Sequence, residues 1–174
     1  MRIISGSLKG RIYASPKSEL VHPMSEKMRG AIFSALGDIS GLTVLDAYSG
    51  SGAVSLESAS RGAKNVTAIE ANKKAANIIS TNIRSLGISN IKLICSSVEG
   101  WLRTSNDLFD IVIADPPYDK TNVNTAIALS SRLVGGGILI LSWPAMIDLP
   151  VIESLSLIKT KNYGDSQLGF FRIR

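Results

Sequence analysis

Thr43-Val44-Leu45-Asp46-Ala47-Tyr48-Ser49-Gly50-Ser51-Gly52 is the stretch that decides the fold. A short run of β-branched and aliphatic residues ends in a carboxylate, and glycines follow where helix-tolerant residues begin. A strand that stops at a glycine turn and feeds a helix opens a βαβ unit. The first apolar run, Leu42–Leu45, is followed by others at Val66–Ile69, Ile91–Ile94, Ile111–Ala114 and Ile138–Leu141. Stretches of helical spacing lie between them, near 53–61, 72–86 and 122–133. This alternation predicts parallel strands joined by crossover helices on both faces of a sheet.

Beyond this core the pattern changes. Leu157–Lys161 and Gly169–Ile173 flank Tyr163-Gly164-Asp165-Ser166, a link too short for a helical crossover, so an antiparallel hairpin is expected. Near the start, Arg2–Ile4 and Gly10–Tyr13 flank Gly6-Ser7-Leu8-Lys9 and suggest a small basic β-hairpin. Pro16 and Pro23 lie in the extended link that follows. Ser25 is placed to cap a helix from Glu26 to about Leu36, with Met28, Ile32, Phe33 and Leu36 on one face. The expected organisation is a hairpin and link over 1–24, acting as an RNA-binding arm, and an α/β domain over 25–174 with a mostly parallel seven-stranded sheet.

The 174 residues, 45% hydrophobic and 19% charged, suffice for one domain with a sizeable core and exclude disorder as the main state. Cys95 is the sole cysteine, so no intrachain disulfide is possible, and no His or Cys cluster suggests a metal. It ends an apolar strand and is expected to be buried; Trp101 and Trp143 are expected in the core or at a cleft edge. No apolar run approaches the ~20 residues that span a bilayer, and no signal-peptide pattern opens the sequence. A soluble, cytoplasmic monomer without a membrane partner is expected.

The net charge of +5 is unevenly spread. Residues 1–29 carry Arg2, Lys9, Arg11, Lys17, Lys27 and Arg29 against Glu19 and Glu26, and residues 157–174 carry Lys159, Lys161, Arg172 and Arg174 against Asp165. The middle is slightly acidic. Basic ends of this kind attract a polyanion through its phosphates, and Arg2, Lys9, Arg11, Lys17 and Arg29 are the candidate contacts.

Glycines after a strand let a ligand approach the backbone. The dinucleotide fingerprint needs a further glycine at position 55, where Ser55 stands, which disfavours a pyrophosphate-bearing cofactor. Asp46, Gly50 and Gly52 suit a nucleoside-type ligand carrying an ammonium group, as S-adenosyl-L-methionine does, which the carboxylate can meet directly or through water; Tyr48 either lines its cleft or packs in the core. Glu70, at the end of the second strand, can accept hydrogen bonds from ribose hydroxyls.

Asp115-Pro116-Pro117-Tyr118 follows the fourth strand at the edge where ligands bind in open α/β sheets. The prolines stiffen the turn and remove its amide donors, leaving carbonyls and a carboxylate as acceptors. A nucleobase amino group is a poor nucleophile because its lone pair is delocalised. Hydrogen bonds from that amine to Asp115 and the Pro116 carbonyl would aim the lone pair at a methyl donor, while Tyr118 offers a face for stacking the base.

With these residues the chain resembles the class I S-adenosylmethionine-dependent methyltransferases, and among them the bacterial 16S ribosomal RNA guanine-N2 methyltransferases, the RsmD family. The resemblance runs through Arg2-Ile3-Ile4-Ser5-Gly6, Lys9-Gly10-Arg11, Arg29-Gly30-Ala31-Ile32-Phe33, Gly50-Ser51-Gly52 to Leu56-Glu57, Ser60-Arg61-Gly62-Ala63, Asp115 to Tyr118 and Tyr163-Gly164-Asp165. It implies a Rossmann-like fold and methylation of a guanine amino group in small-subunit ribosomal RNA, within an assembled or assembling small ribosomal subunit. It further implies that Ser97 and Val98 face the adenine; Ser97 stands where the family usually has Asp. His22 and Met24 replace the family's Arg and Thr. A DNA amino-methyltransferase and a non-catalytic ribosomal RNA binder that keeps the fold are the alternatives; no segment suggests a DNA target-recognition domain.

Overall fold

The computed structural model describes residues 1–16, 23–117, 119 and 121–174. Lys17, His22 and Tyr118 lie outside the described residues, so their expected roles have no structural counterpart here.

The elements follow in the order α1 (Glu26–Leu36), β1 (Thr43–Asp46), α2 (Ala53–Ser60), β2 (Asn65–Ile69), α3 (Lys73–Ser85), β3 (Ile91–Ile94), α4 (Val98–Thr104), β4 (Phe109–Ala114), α5 (Val123–Ser130), β5 (Leu133–Pro144), β6 (Leu155–Tyr163) and β7 (Ser166–Ile173). They form a seven-stranded sheet in the order β3-β2-β1-β4-β5-β7-β6. The first five strands are mutually parallel, and β7 runs antiparallel to both β5 and β6. From β1 the chain winds outward through β2 and β3, then returns to β4 on the other side. The crevice at this reversal, beyond the carboxyl ends of β1 and β4, is where open α/β sheets bind ligands.

Strand alternation divides the core into two layers. Leu45, Val112 and Leu139 face one way and pack with Trp101, Ala126, Leu129 and Phe171, beneath α4 and α5. Val44, Ile111, Ile113 and Ile140 face the other way against Ile32 and Phe33 of α1 and Val54 of α2. Both tryptophans are buried, as expected. Cys95 is exposed, contrary to expectation, because it follows β3 at the open edge of the sheet. Ser25 caps α1 by accepting from the Met28 amide at 3.1 Å.

The amino-terminal segment pairs as an antiparallel turn: the Ile3 amide donates to the Arg11 carbonyl at 3.0 Å and the Gly10 amide to the Ile3 carbonyl at 2.9 Å. It is fastened to the α/β layers rather than projecting from them. Glu57 of α2, fully buried, accepts from the Ile4 and Ser5 amides at 2.8 and 3.0 Å. Ala14 exchanges two hydrogen bonds with the Asn82 side chain of α3. Ile3 and Tyr13 complete a third apolar cluster with Ala53, Leu56 and Leu86. Gly6, at φ +85°, passes so close to α2 that a Cβ would stand 1.9 Å from the Ser60 carbonyl oxygen.

Arg29 requires a correction. Read as an RNA contact, it is fully buried, donates to the Arg2 carbonyl at 2.9 Å and pairs with Glu57 at 3.6 Å. It satisfies the interior carboxylate and cannot reach a phosphate. Arg2, Lys9 and Arg11 are exposed.

Candidate functional site

A cleft of about 760 Å³ opens over the carboxyl ends of β1, β2 and β4, within the range of small-molecule sites. It is walled by the Tyr48–Ser51 loop, Glu70, Ser96–Glu99, Asp115–Pro117, the start of α1, and Tyr163 with Ser166 from the late hairpin. Glu70, Glu99 and Asp115 contribute carboxyl groups, and no described lining residue is Lys, Arg or His. Low-dielectric walls carrying one sign of charge favour a cationic ligand and repel phosphate.

The glycine loop is held from below. Gly50, at φ +53°, donates its amide to Glu70 Oε2 at 2.7 Å, and Glu70 Oε1 accepts from the Asn72 amide at 2.7 Å. Glu70 therefore both lines the cleft and fixes the loop, and each oxygen keeps a lone pair for another donor. Asn72, in turn, caps α3.

Asp46 takes a position behind the cleft wall. It is 2% exposed and accepts from both the amide and the hydroxyl of Ser55 on α2. In this structure it anchors the first turn of α2, set back from the cleft surface where the sequence has it meeting an ammonium group directly or through water. Gly52, the left-handed residue before α2, packs against Ile79 and is not part of the lining. Ser55, which breaks the dinucleotide fingerprint, is the residue that secures Asp46.

Burial pushes the Asp46 carboxyl up to about 7, with the nearby Asp115 charge adding to the rise and the Ser55 and Ser49 hydrogen bonds opposing it. Between the unfolded value near 3.8 and about 7, the folded chain keeps a proton that the unfolded chain has released. This group's stabilisation is thus full below that window and lost as pH rises through it. In the ligand-free protein, the melting temperature of wild type relative to Asp46→Asn should fall as pH is raised from 4.5 to 7.5, as read by scanning calorimetry.

Tyr48 is half-buried in the cleft wall, and burial holds its phenol at about 12, so it stays neutral. Ser97 is exposed at the rim and caps α4, accepting from the Gly100 amide at 3.0 Å. Val98 is buried beside it. Asp115 is half-buried at the end of β4, with the buried Pro116 next to it. Desolvation raises the Asp115 carboxyl above the usual range, and Ser142 of β5 draws it partly back.

A family model described as "Conserved hypothetical protein 95" matches residues 1–172. Ribosomal RNA small subunit methyltransferase D of Buchnera aphidicola is 35% identical over 129 residues, covering 73% of this chain and 68% of the relative. The chain belongs to the ribosomal RNA small subunit methyltransferase D family. The Escherichia coli K12 methyltransferase D is 30% identical over 130 residues, covering 74% of this chain and 66% of the relative. The chain therefore spans about two thirds of these relatives' length. A solved Escherichia coli protein described as a methyltransferase superposes at TM-score 0.91 with 25% identity, covering 100% of this chain and 98% of that one. A methyltransferase solved with S-adenosylhomocysteine shares the fold alone, at TM-score 0.69 and 17% identity, covering 84% of this chain and 48% of that one. The fold is accordingly the Rossmann-like one of class I methyltransferases.

Within this methyltransferase D family member, the cleft brings together Tyr48, Gly50, Glu70, Ser97, Val98, Asp115 and Pro116. Met24, Met28, Tyr163 and Ser166 were not anticipated there. Met28 gave no signal beyond an apolar helix face, and Met24 stood out only as a departure from the family's Thr. Tyr163 and Ser166 arrive because β7 lies between β5 and β6, which returns their turn to the carboxyl end of the sheet.

Proposed function

We propose that the chain is an S-adenosyl-L-methionine-dependent methyltransferase acting on the exocyclic N2 amine of a guanine in small-subunit ribosomal RNA. The observation that carries this reading is a cation-free acidic cleft, among the described residues, in which Asp115 and Pro116 present acceptors beside the glycine loop. S-adenosylmethionine fits such a lining: it bears positive charge on sulfur and nitrogen and has no phosphate. Bound there, it supplies a methyl group already activated on a sulfonium.

The remaining chemistry falls to the protein. Glu70 accepts from ribose hydroxyls, the Gly50 loop allows close backbone approach, and Ser97 and Val98 border the adenine. Asp46 and Gly52 hold the loop and α2 in place. Asp115 and the Pro116 carbonyl accept the two N–H groups of the guanine amine and orient its lone pair, so positioning supplies much of the rate enhancement. Tyr118 is assigned the stacking role. Arg2, Lys9 and Arg11 form the exposed basic face for RNA phosphates, with Lys17 assigned to the same face. No membrane or metal partner enters the reading, and the protein acts as a cytoplasmic monomer.

The decisive experiment is transfer of a radiolabelled methyl group onto small ribosomal subunits from a strain lacking its own enzyme, followed by nucleoside analysis. N2-methylguanine is the expected product. A labelled adenine or cytosine would overturn the base assignment, and label on duplex DNA instead of RNA would favour the DNA amino-methyltransferase alternative.

A further inference from the structure

The β4–β5 register pairs Ala114 with Leu141, so the next residues along the two parallel strands are Asp115 and Ser142. Ser142 is fully buried, and its hydroxyl has no hydrogen-bond partner among the described residues. Buried hydroxyls are nearly always paired, and an orphan calls for a reason. The register sets Ser142 beside Asp115 on the neighbouring strand, where its side chain lowers the carboxyl that burial raises. We propose that Ser142 is a positioning residue that donates its hydroxyl hydrogen to Asp115 and so keeps that carboxyl an acceptor for the substrate amine.

The surroundings make such a donor necessary. Glu70 after β2 and Glu99 on α4 bring further carboxyl groups to the cleft, and no described lining residue supplies a cation. Burial of the Asp115 carboxyl favours its protonated form. A protonated carboxyl would point a donor at an amine that itself needs acceptors. A hydroxyl donor buried in the sheet counters this without placing a positive charge near the sulfonium.

The proposal rests on the methyl-transfer reading, and its test separates the two. Ser142→Ala removes a hydroxyl with no other partner among the described residues and adds no bulk, so the variant should fold. Carbon-13 NMR titration of Asp115 in the ligand-free protein, with the resonance assigned through Asp115→Asn, should show a higher midpoint in Ser142→Ala than in wild type. In the methyl-transfer assay the same variant should lose roughly tenfold in kcat at the acidic end of the profile and recover toward wild type at alkaline pH, with the S-adenosylmethionine KM little changed. An unmoved or lowered Asp115 midpoint, or an equal loss of kcat at every pH, would overturn the role. Should wild type transfer no methyl group at all, the proposed function fails, and the NMR titration still decides for or against Ser142.

Discussion

Replacing Asp115 by alanine is expected to lower methyl transfer by roughly 10²–10³-fold, the scale on which loss of one preorganised polar contact acts, while S-adenosylmethionine binding stays nearly intact. The separation follows from geometry. Glu70 and the Gly50 loop lie over β1 and β2, whereas Asp115 stands at the end of β4 beside Pro116. The variant should melt no lower than wild type near neutral pH, because desolvation raises the Asp115 carboxyl and its ionised form is held at a cost to folding. Single-turnover assays and isothermal titration with the cofactor check both halves. Equal loss of binding and transfer would contradict the assignment.

The largest effect on stability is expected at Glu57. Its carboxylate accepts two hairpin amides, takes the Arg61 guanidinium at 2.8 Å and balances the buried Arg29. Glu57→Gln keeps the shape but removes the charge, leaving Arg29 buried without a counterion. Breaking a buried pair in this way costs about 3–5 kcal/mol, or a fall in melting temperature of roughly 6–20 °C for a domain of this size. The Arg29→Met, Glu57→Gln double variant should recover part of that loss, since the stranded charge is gone. A melting temperature for Glu57→Gln within 2 °C of wild type would show that water already reaches the pair. The same network means that deleting residues 1–17 would not simply detach an RNA-binding arm. It would strip partners from Glu57 and Asn82 and uncover Leu56 and Leu86.

The strands and long helices were legible because their signals are local. Five apolar runs became β1 to β5, and α1, α2 and α3 lie within a residue of the expected bounds. β5 is much longer than Ile138–Leu141 because Gly135-Gly136-Gly137 hides its first half; those residues bring no side chain that reads as a strand. α4 was missed for a similar reason: seven residues including Gly100 are too few to show a period. In the site, Asp115, Glu70 and the Gly50 loop were readable because each sits at a strand end, where topology alone fixes its direction. Arg29 was misjudged as an RNA contact, and the anchoring of Asp46 went unseen, because their surroundings are set by distant or helix-borne partners, Glu57 and Ser55, that no spacing rule connects. Ser142 gave no signal at all, since its significance depends on strand register.

The placement of β7 between β5 and β6 constrains how the enzyme comes into being. A ribosome-tethered chain that has emerged only through residue 150 can build the parallel strands, yet it lacks Tyr163 and Ser166 and leaves one side of β5 without its partner. The cleft is therefore walled on all sides only after synthesis of the final two strands, and premature termination there would release an incomplete sheet prone to self-association.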